Sequence, residues 1–558
     1  MSASPLVVDE TSPGALSRLW NRDLSAYPRP TARYANLAIV VVTTVVLYYL
    51  LYVQYAVATS IMAHYGMTFG YFIMLSVAGN AVGAVASLVA GLADRWGRAN
   101  MVVYGVLLAA VLVLLLPSAP GRTTYLLMFC ALYFIEGIVL VATPALIRDF
   151  SPQLGRATAM GSWTMGPVVG SLVVTTVTSA TLDTSSWQDE LRYAGLTALV
   201  VFLVALAGLR ELSPRLRDQV MVSLRDRALV EARARGIAAE EQEPTARHWR
   251  QMVRPAVLGP AFAISVYLLF YYAAVGNLVI YYSAVYGYTE QRANALGNWY
   301  WAASAVALIA GGVLSDRLRV RKPLMVVGGV GSVACTAVFA ALTTRQDTGY
   351  YTFAWLFVAM GLFSGLTYGP WMAAFTETVE RHNPAATATG LAVWGWTLRV
   401  VVAVSAAFLP VAVTSVTTVV EHGHEVQAAQ KQAGPALAVV AAHQALFAEL
   451  ATHPPGQVPA DLQARAVKEV GPADLALVQK AQPQLKVLQQ YGTKVQKAAD
   501  EGPEQWRNWW LVCMGGQIVF LPFAFAMKGR WSPRRAREDA EAHQRAVDRE
   551  MDRLAQPA

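Results

Sequence analysis

The sequence predicts an all-α integral membrane protein, with twelve transmembrane helices in two six-helix bundles and a small helical insert outside the membrane. Hydrophobic residues make up 55% of the 558 residues and charged residues only 14%, far from the composition of a soluble protein. The charges cluster and leave many apolar windows of about 20 residues, the length that crosses a bilayer as a helix. A short basic turn also occurs twice, at corresponding places in the two halves of the chain.

The apolar runs fall into two groups of six. The N-terminal bundle occupies residues 37–210, and the C-terminal bundle occupies residues 256–412 and a last run at 508–528. The individual spans are expected at about 37–63, 70–92, 101–117, 124–147, 158–180, 193–210, 256–285, 293–314, 323–343, 351–376, 387–412 and 508–528. Strands of a membrane barrel would be shorter and would alternate apolar and polar residues, so a barrel is not predicted.

Basic residues indicate the orientation of the chain. Arginine and lysine are concentrated in the loops on the same side as the N-terminus, for example at Arg95, Arg98 and Lys322, and are sparse in the loops on the other side. Positive loops remain in the cytoplasm. We therefore predict a multi-pass protein of the cell membrane with both termini cytoplasmic, including a mobile N-terminal tail at 1–36 and a C-terminal tail at 529–558. The first span reads as an uncleaved anchor.

The cytoplasmic linker at 211–255 joins the two bundles. It carries several arginines with Leu216, Val220, Leu224 and Val230 between them. A basic helix with one apolar side can lie at the lipid headgroups, whereas a solvated tether is equally consistent with the same charges. Both interpretations stay open.

The stretch 413–507 stands where a short turn would join the last two spans. It is rich in Ala, Gln and Val and is broken by prolines. Apolar spacing predicts one helix at 436–450, opened by Pro435, and another at 473–498 that Pro483 kinks or splits. We predict a small extracytoplasmic helical hairpin that offers a surface for a partner, and a disordered insert is the alternative.

The turn that occurs twice carries a recognisable pattern. The first copy has Ala90, Asp94, Arg95, Gly97 and Arg98, and the second has Gly312, Asp316 and Arg317, with Arg319 in place of the second glycine. Together with the topology of six plus six spans, this pattern resembles the loop signature of the major facilitator superfamily. The resemblance implies that fold and leaves the substrate open.

The loop residues are expected to control conformation. A carboxylate at the inner end of a helix is favoured beside the positive N-terminal end of another helix or an arginine. If the two halves rock, such contacts exist in one state only and bias the equilibrium. The resemblance implies that Asp94 contacts the other half when the inside is closed. The alternative is that Arg95 and Arg98 only set the topology.

Two charged residues interrupt the apolar runs. Glu136 lies alone in the fourth span, and Arg399 lies in the eleventh. An intramembrane charge is costly and faces the protein interior, which makes it a candidate for function. We expect Glu136 to bind the coupling proton, with Arg399 as its partner or as the group that attracts an anionic substrate. A purely structural pair is the alternative, and spacing does not show the pairing because the residues lie on different spans.

The fifth span contains Gly166, Pro167 and Gly170. Small residues let helices approach closely and the proline bends the span. The sequence partly resembles the Gly-Pro-x-x-Gly-Gly motif of the proton-coupled antiporters of the superfamily, with Ser171 in the last place. The resemblance therefore favours export.

Aromatic and polar residues suggest a ligand site. Tyr48, Tyr52 and Tyr55 share one face of the first span, and Tyr267 and Tyr271 repeat the arrangement in the seventh. The resemblance implies a cavity lined by the first, fourth, seventh and tenth spans. Rings with polar tips suit a moderately apolar ligand, although helix packing explains many of them. The predicted binding residues are Tyr48, Tyr52, Tyr55, Tyr267, Tyr271, Asn277, Tyr368 and Trp371, with Asn298 a weaker candidate.

The sequence contains no Walker loop, metal-ligand cluster or nucleophile constellation. We therefore expect no enzyme, cofactor, metal or nucleic-acid partner, and a monomer in the bilayer. The predicted function is a secondary active transporter that exports a small organic or amphipathic solute in exchange for protons. The alternatives are a proton-linked importer of an organic anion, and a membrane receptor or assembly platform built on the 413–507 insert.

Overall fold

The computed structural model describes residues 20–89, 97–150, 164–213, 216, 253–382, 387–453, 457–527, 529 and 531–555. Nearly all of them are helical. The helices of the first half are span 1 (Pro30–Ala56, continued after a break at Val57 by Ala58–Tyr65), span 2 (Phe69–Val89), span 3 (Arg98–Leu115), span 4 (Arg122–Phe150), span 5 (Gly166–Thr181) and span 6 (Trp187–Gly208).

The second half repeats this series. Its helices are span 7 (Pro255–Tyr267 and Leu269–Tyr286, broken at Leu268), span 8 (Glu290–Leu318), span 9 (Lys322–Thr343), span 10 (Tyr350–His382), span 11 (Thr387–Ala412) and span 12, the second part of a long helix at Thr493–Ala526. In the described part of the chain, eleven helices are long and apolar enough to cross a membrane. The described part of span 5 is a shorter apolar helix of 16 residues. The predicted helical membrane fold is confirmed.

Because successive spans run in opposite directions, their ends form two faces. We call the face at which span 1 begins and span 12 ends the terminal face, and the other the opposite face. Spans 2 and 11 pack together, as do spans 5 and 8, and these two pairs join the halves. These four helices supply most of the interface between the halves, and spans 1 and 7 also contact each other across it.

Span 1 begins at Pro30, where the sequence predicted a mobile tail up to residue 36. A proline at the first helical position needs no hydrogen bond from its nitrogen, so the helix starts there readily. Before it, strand β1 (Asp23–Leu24) pairs in parallel with β2 (Glu211–Leu212), which directly follows span 6. Thus residues 20–36 belong to the packed structure of the first half.

Arg22 fixes this N-terminal segment. Its buried guanidinium donates to the carbonyls of Leu206 and Leu209 at 2.8 and 3.2 Å and to Asn100 at 3.1 Å. The arginine thereby satisfies carbonyl groups that are left free at the end of span 6. Burial lowers the pKa of the Arg22 guanidinium from its usual value, and a hydrogen bond with Tyr104 acts in the opposite sense.

The insert between spans 11 and 12 is helical. Its helices are Thr414–Ala442, Gln444–Ala451, Ala460–Val470, Pro472–Lys480 and Gln482–Val487, followed by the first part of Thr493–Ala526. The predicted start at Pro435 is wrong, because the first helix runs through this proline and bends by 98° only at His443. Ala433 and Ala436 are buried against Val478 and Ala481, which stabilises the helix on both sides of Pro435. The break predicted near Pro483 occurs at Ala481.

Candidate functional site

The two intramembrane charges meet between the halves. One guanidinium nitrogen of Arg399 in span 11 lies 3.5 Å from each carboxylate oxygen of Glu136 in span 4. The Glu136 side chain is 6% exposed and that of Arg399 is 20% exposed. A paired charge is far less costly in the membrane interior than an isolated one. The geometry thus makes Arg399 the partner of Glu136, which spacing had left open.

Gly83 of span 2 makes room for this pair. A Cβ atom at this position would lie 2.5 Å from a guanidinium nitrogen of Arg399 and 3.1 Å from the carbonyl oxygen of Tyr133. Arg399 therefore passes span 2 at Gly83, where no side chain blocks it, and reaches Glu136. The close packing of spans 2 and 11 depends on the same glycine.

Tyrosines extend from the ion pair along the first half. The rings of Tyr48 and Tyr52 are 5.3 Å apart and those of Tyr52 and Tyr55 are 6.5 Å apart. The Tyr55 and Tyr133 hydroxyls are 3.0 Å apart, and Tyr133 lies one turn before Glu136. The predicted tyrosine face of span 1 thus forms a continuous row that leads to the buried carboxylate.

The predicted rings of the second half do not all face the ion pair. Tyr267 points into its own bundle, where its hydroxyl lies 2.7 Å from that of Ser332. Tyr272, which spacing missed, lies within electrostatic range of both Glu136 and Arg399. The break at Leu268 interrupts the helical period from which the pair Tyr267 and Tyr271 was predicted. Tyr272 was missed because neither glycine nor proline marks that break in the sequence.

The remaining predicted binding residues lie in spans 7 and 10. Tyr368 stacks on Trp371 with ring centroids 6.3 Å apart, and Trp394 of span 11 lies 5.6 Å from Trp371. Trp371 is fully buried, so in this conformation it packs rather than faces an open path. Asn277 is buried, and its side-chain oxygen makes no hydrogen bond to any residue that the structure describes.

A carboxylate that the sequence reading overlooked joins the halves at the opposite face. Glu290, at the start of span 8, accepts hydrogen bonds from the backbone N–H and hydroxyl of Ser60 at 2.9 and 2.6 Å, and from the Thr59 hydroxyl. Ser60 and Thr59 lie in the first turn of helix Ala58–Tyr65, whose free N–H groups attract a negative charge. The break at Val57 creates this helix start, and therefore also the group of donors that binds the Glu290 carboxylate.

Further hydrogen bonds close the same face. Asn294 donates to the carbonyl of Ala56 at 2.8 Å, and Gln291 donates to that of Ser179 at 3.2 Å. Asn298, a weak candidate in the sequence, bonds Ser179 at 3.0 Å and Thr176 at 3.2 Å. Spans 1, 5 and 8 are thus held together at the opposite face in this conformation.

At the terminal face, Arg98 of the first loop copy is anchored within the first half. Its guanidinium pairs with Asp149 of span 4 at 3.0 Å, and its backbone N–H donates to Glu211 at 2.9 Å. Gly97 has a φ of +90°, in the region that favours glycine, and a Cβ there would lie 2.5 Å from Glu211. Asp94 and Arg95 lie outside the described residues.

The second loop copy repeats this arrangement with different residues. Arg321 bridges Asp316 at 2.6 Å and Glu377 of span 10 at 3.3 Å, as Arg98 reaches span 4. Arg319, in the place of Gly97, keeps a left-handed φ of 54°. Arg317 is exposed. The two described positions therefore share a positive φ, and each copy keeps an arginine bridge to the next span, although one glycine has been lost.

The small residues of span 5 bring it against span 1. A Cβ at Gly166 would lie 2.7 Å from a methyl group of Thr44, and one at Gly170 would lie 2.6 Å from Cβ of Tyr48. Pro167 lies in the first turn of the described helix, where a proline is tolerated. The close approach holds Tyr48, the first ring of the tyrosine row, beside span 5.

Comparisons with known proteins agree on one family. The sequence model described as Major Facilitator Superfamily matches residues 40–406, whereas none of the curated proteins matches the chain. Among solved structures, a bacterial homologue of the human lysosomal transporter Spinster, inward-facing and occupied, aligns with a TM-score of 0.58 at 16% identity, covering 91% of this chain and 100% of that one. Its inward-facing, unoccupied form aligns at 0.54 and 16% with the same coverage. The proton:xylose symporter XylE, bound to 6-bromo-6-deoxy-D-glucose, aligns at 0.50 and 14%, covering 67% and 88%. These likenesses show the fold.

Proposed function

The chain belongs to the major facilitator superfamily, whose members move small molecules across membranes by alternating access, and we propose that it exports a small organic or amphipathic solute in exchange for protons. The observation that carries the proposal is the pair of Glu136 and Arg399, one from each half, which lie 3.5 Å apart between the two bundles. A titratable group in such a place connects the charge of the site with the relative position of the halves.

The proposed coupling follows from the cost of an unpaired charge. While Glu136 is ionised, separating it from Arg399 leaves a charge without a partner in a poorly solvated site. A proton on Glu136 removes the negative charge and frees Arg399 to move with span 11. Proton binding therefore changes the relative free energies of the two conformations, which is the requirement for coupling.

The substrate is proposed to bind beside this pair. Tyr48, Tyr272 and Arg399 lie within electrostatic range of one another, and together they offer rings, hydroxyl groups and a positive charge. Such a lining suits an amphipathic solute with a polar end. The Gly166-Pro167-x-x-Gly170 sequence, which resembles the antiporter motif, is the reason for proposing export over import.

Alternating access is proposed to exchange the contacts of the two faces. With the terminal face in the cytoplasm, the bonds of Glu290, Asn294 and Asn298 close the extracytoplasmic side. In the other conformation these bonds break, and the loop residues Asp94, Arg95 and Arg98 hold the cytoplasmic side closed. The loop contacts thus stabilise one conformation and the Glu290 contacts stabilise the other, so both act on the same equilibrium.

The test starts from a ligand screen, because binding to the folded state raises apparent thermal stability. Flux of a stabilising compound is then measured in proteoliposomes under an imposed pH gradient, for the wild type, Glu136→Gln and Glu421→Gln. Glu421 is an exposed residue of the insert and serves as the control. We expect Glu136→Gln alone to lose gradient-driven flux while retaining exchange without a gradient. Full gradient-driven flux in Glu136→Gln would refute the proton role.

The same vesicles separate export from the alternative of organic-anion import. In an exchanger, a proton gradient drives solute in the direction opposite to proton flow, and in a symporter it drives solute in the same direction. Arg399 favours the second candidate, because a guanidinium attracts an anion. Accumulation with proton flow, specific for anionic compounds, would replace export by import.

The third candidate, a receptor or platform built on the insert, depends on residues 413–507. The first insert helix packs against span 2 as well as against the long helix of span 12, so it contacts both halves. We propose that the insert lies outside the cell and modulates transport. We expect a variant in which a short turn replaces the insert to retain flux. Loss of flux in a folded, ligand-binding deletion variant would make the insert central.

A further inference from the structure

Span 7 breaks at Leu268, next to a small polar cavity inside the second half. The cavity is lined by residues of spans 7, 8, 9, 10 and 12 and has room for about one water molecule. Leu268 and its neighbour Tyr267 form part of its wall. All of its lining residues belong to the second bundle, whereas Glu136 and Arg399 meet between the halves.

Three polar residues that line this cavity each have a buried side-chain atom that makes no hydrogen bond to a described residue. These atoms are the Tyr271 hydroxyl, the Thr336 hydroxyl and the side-chain oxygen of Gln517. A buried polar atom without a partner is costly, and more so in a membrane protein, where bulk water is distant. Three such residues around one cavity indicate a single bound molecule that forms hydrogen bonds with all three.

The backbone supports the same conclusion. At the break the hydrogen bonding is locally irregular, since the N–H of Leu268 donates to the carbonyls of both Ile264 and Val266. A Cβ at Gly516 of span 12 would collide with the carbonyl oxygen of Val266, two residues before the break. Span 12 therefore packs directly on the broken backbone and brings Gln517, the next residue, to the cavity. The break, the close approach and the unpaired atoms coincide.

We propose that this cavity binds one water molecule, which bridges span 7 to spans 9 and 12 through Tyr271, Thr336 and Gln517. A buried water typically makes about three hydrogen bonds and needs about this much space. The guest is uncharged, because the lining described here carries hydroxyl, amide and apolar groups but no carboxylate. By holding Tyr271, the water also fixes the helix segment that carries Tyr272 beside Arg399.

Replacement of Thr336 by valine tests the proposal through the sign of its effect. Valine keeps the shape and removes the hydroxyl. If a water is bound, Thr336→Val removes one of its hydrogen bonds and lowers the melting temperature in detergent by about 1–3 °C. If the cavity is dry, the substitution removes an unpaired polar group, so stability stays the same or rises. The control is Thr44→Val, because the buried Thr44 hydroxyl already bonds the carbonyl of Val40 at 2.8 Å.

Two further measurements complete the test. The double variant Thr336→Val/Tyr271→Phe is expected to lose less than the sum of the single losses, since both residues bind the same molecule, and additive losses would overturn the bridge. An experimental structure that resolves waters is expected to show a peak within hydrogen-bonding distance of Thr336 and Gln517. Sodium chloride and choline chloride are also compared for their effect on the melting temperature. If sodium chloride stabilises the wild type more and Thr336→Val abolishes this difference, the bound species is a cation and not water.

Discussion

Ser60 of span 1 donates two hydrogen bonds to Glu290 of span 8, one from its backbone N–H at 2.9 Å and one from its hydroxyl at 2.6 Å. The two residues belong to different halves of the protein and lie at the face where the halves are closed. Every change of access that opens this face must separate them. The strength of this contact therefore contributes directly to the conformational equilibrium.

Replacing Glu290 by alanine is expected to shift that equilibrium towards a conformation open at the opposite face. The substitution removes charge-assisted hydrogen bonds that exist only while the face is closed, a loss of about 2 kcal/mol or roughly 30-fold. Spin labels at Gly121 and Asp347, in loops of the two halves at this face, report the change as a longer mean distance. Glu290→Gln is expected to fall in between, since its amide nitrogen cannot accept from Ser60.

The matched control is Glu421→Ala, which removes an exposed carboxylate of the insert. Its distance distribution should equal that of the wild type. An unchanged distribution in Glu290→Ala, in protein that is folded and binds its ligand, would show that the contact does not determine which conformation is populated.

The pair of Glu136 and Arg399 predicts a specific pattern in a double-mutant cycle. Glu136→Met or Arg399→Met alone leaves one buried charge without its partner, and each is expected to cost about 3 kcal/mol of stability. The double variant is expected to recover most of this loss, because an apolar pair replaces the ion pair. Thermal unfolding in detergent measures the four proteins, and additive losses would show that the two charges do not interact. Proton-driven flux should be absent from all three variants.

Gly83 predicts that one methyl group disturbs the same pair. In Gly83→Ala the added Cβ would lie 2.5 Å from the guanidinium of Arg399, so the arginine or span 11 must move. Overpacking of this kind costs about 1–3 kcal/mol, and flux should fall with it. Gly395→Ala in span 11 is the control, since a Cβ there meets nothing within 4 Å. Equal flux in the two variants would contradict the proposed path of Arg399.

The sequence was sufficient for the fold and for part of the site. Composition and apolar windows predicted the spans, because the backbone N–H and C=O groups of each span must find their hydrogen bonds within one helix. Glu136 and Arg399 were recognisable individually since a charge in an apolar run has a high cost. Their pairing was not recognisable, because it depends on how spans 4 and 11 pack. The structure shows it, together with the absence of a side chain at Gly83 that makes room for it.

Glu290 shows why a functional contact can escape a sequence reading. It follows Thr289, whose side chain accepts from the N–H of Arg292, so locally it resembles an ordinary acidic residue in the first turn of a helix. Its partners come from a helix start at the break after Ala56, and neither glycine nor proline marks that break. The contact depends on how the two halves pack, since Ser60 and Glu290 are 230 residues apart in the chain.

The two copies of the duplicated loop predict stability changes of opposite sign. In Gly97→Ala, a residue with a Cβ must adopt a φ of +90° and meet Glu211, so unfolding free energy should fall by about 2 kcal/mol. In Arg319→Gly, the Cβ is removed from a residue with a left-handed φ of 54°, and stability should rise by about 0.5–1 kcal/mol. The control is Gly312→Ala, with open space around its Cβ, where a helical alanine is neutral or mildly stabilising. Chemical unfolding in detergent measures all three. If Gly97→Ala matched Gly312→Ala, the conformation at Gly97 would impose no requirement for glycine, and the loss of glycine at Arg319 would need no compensation.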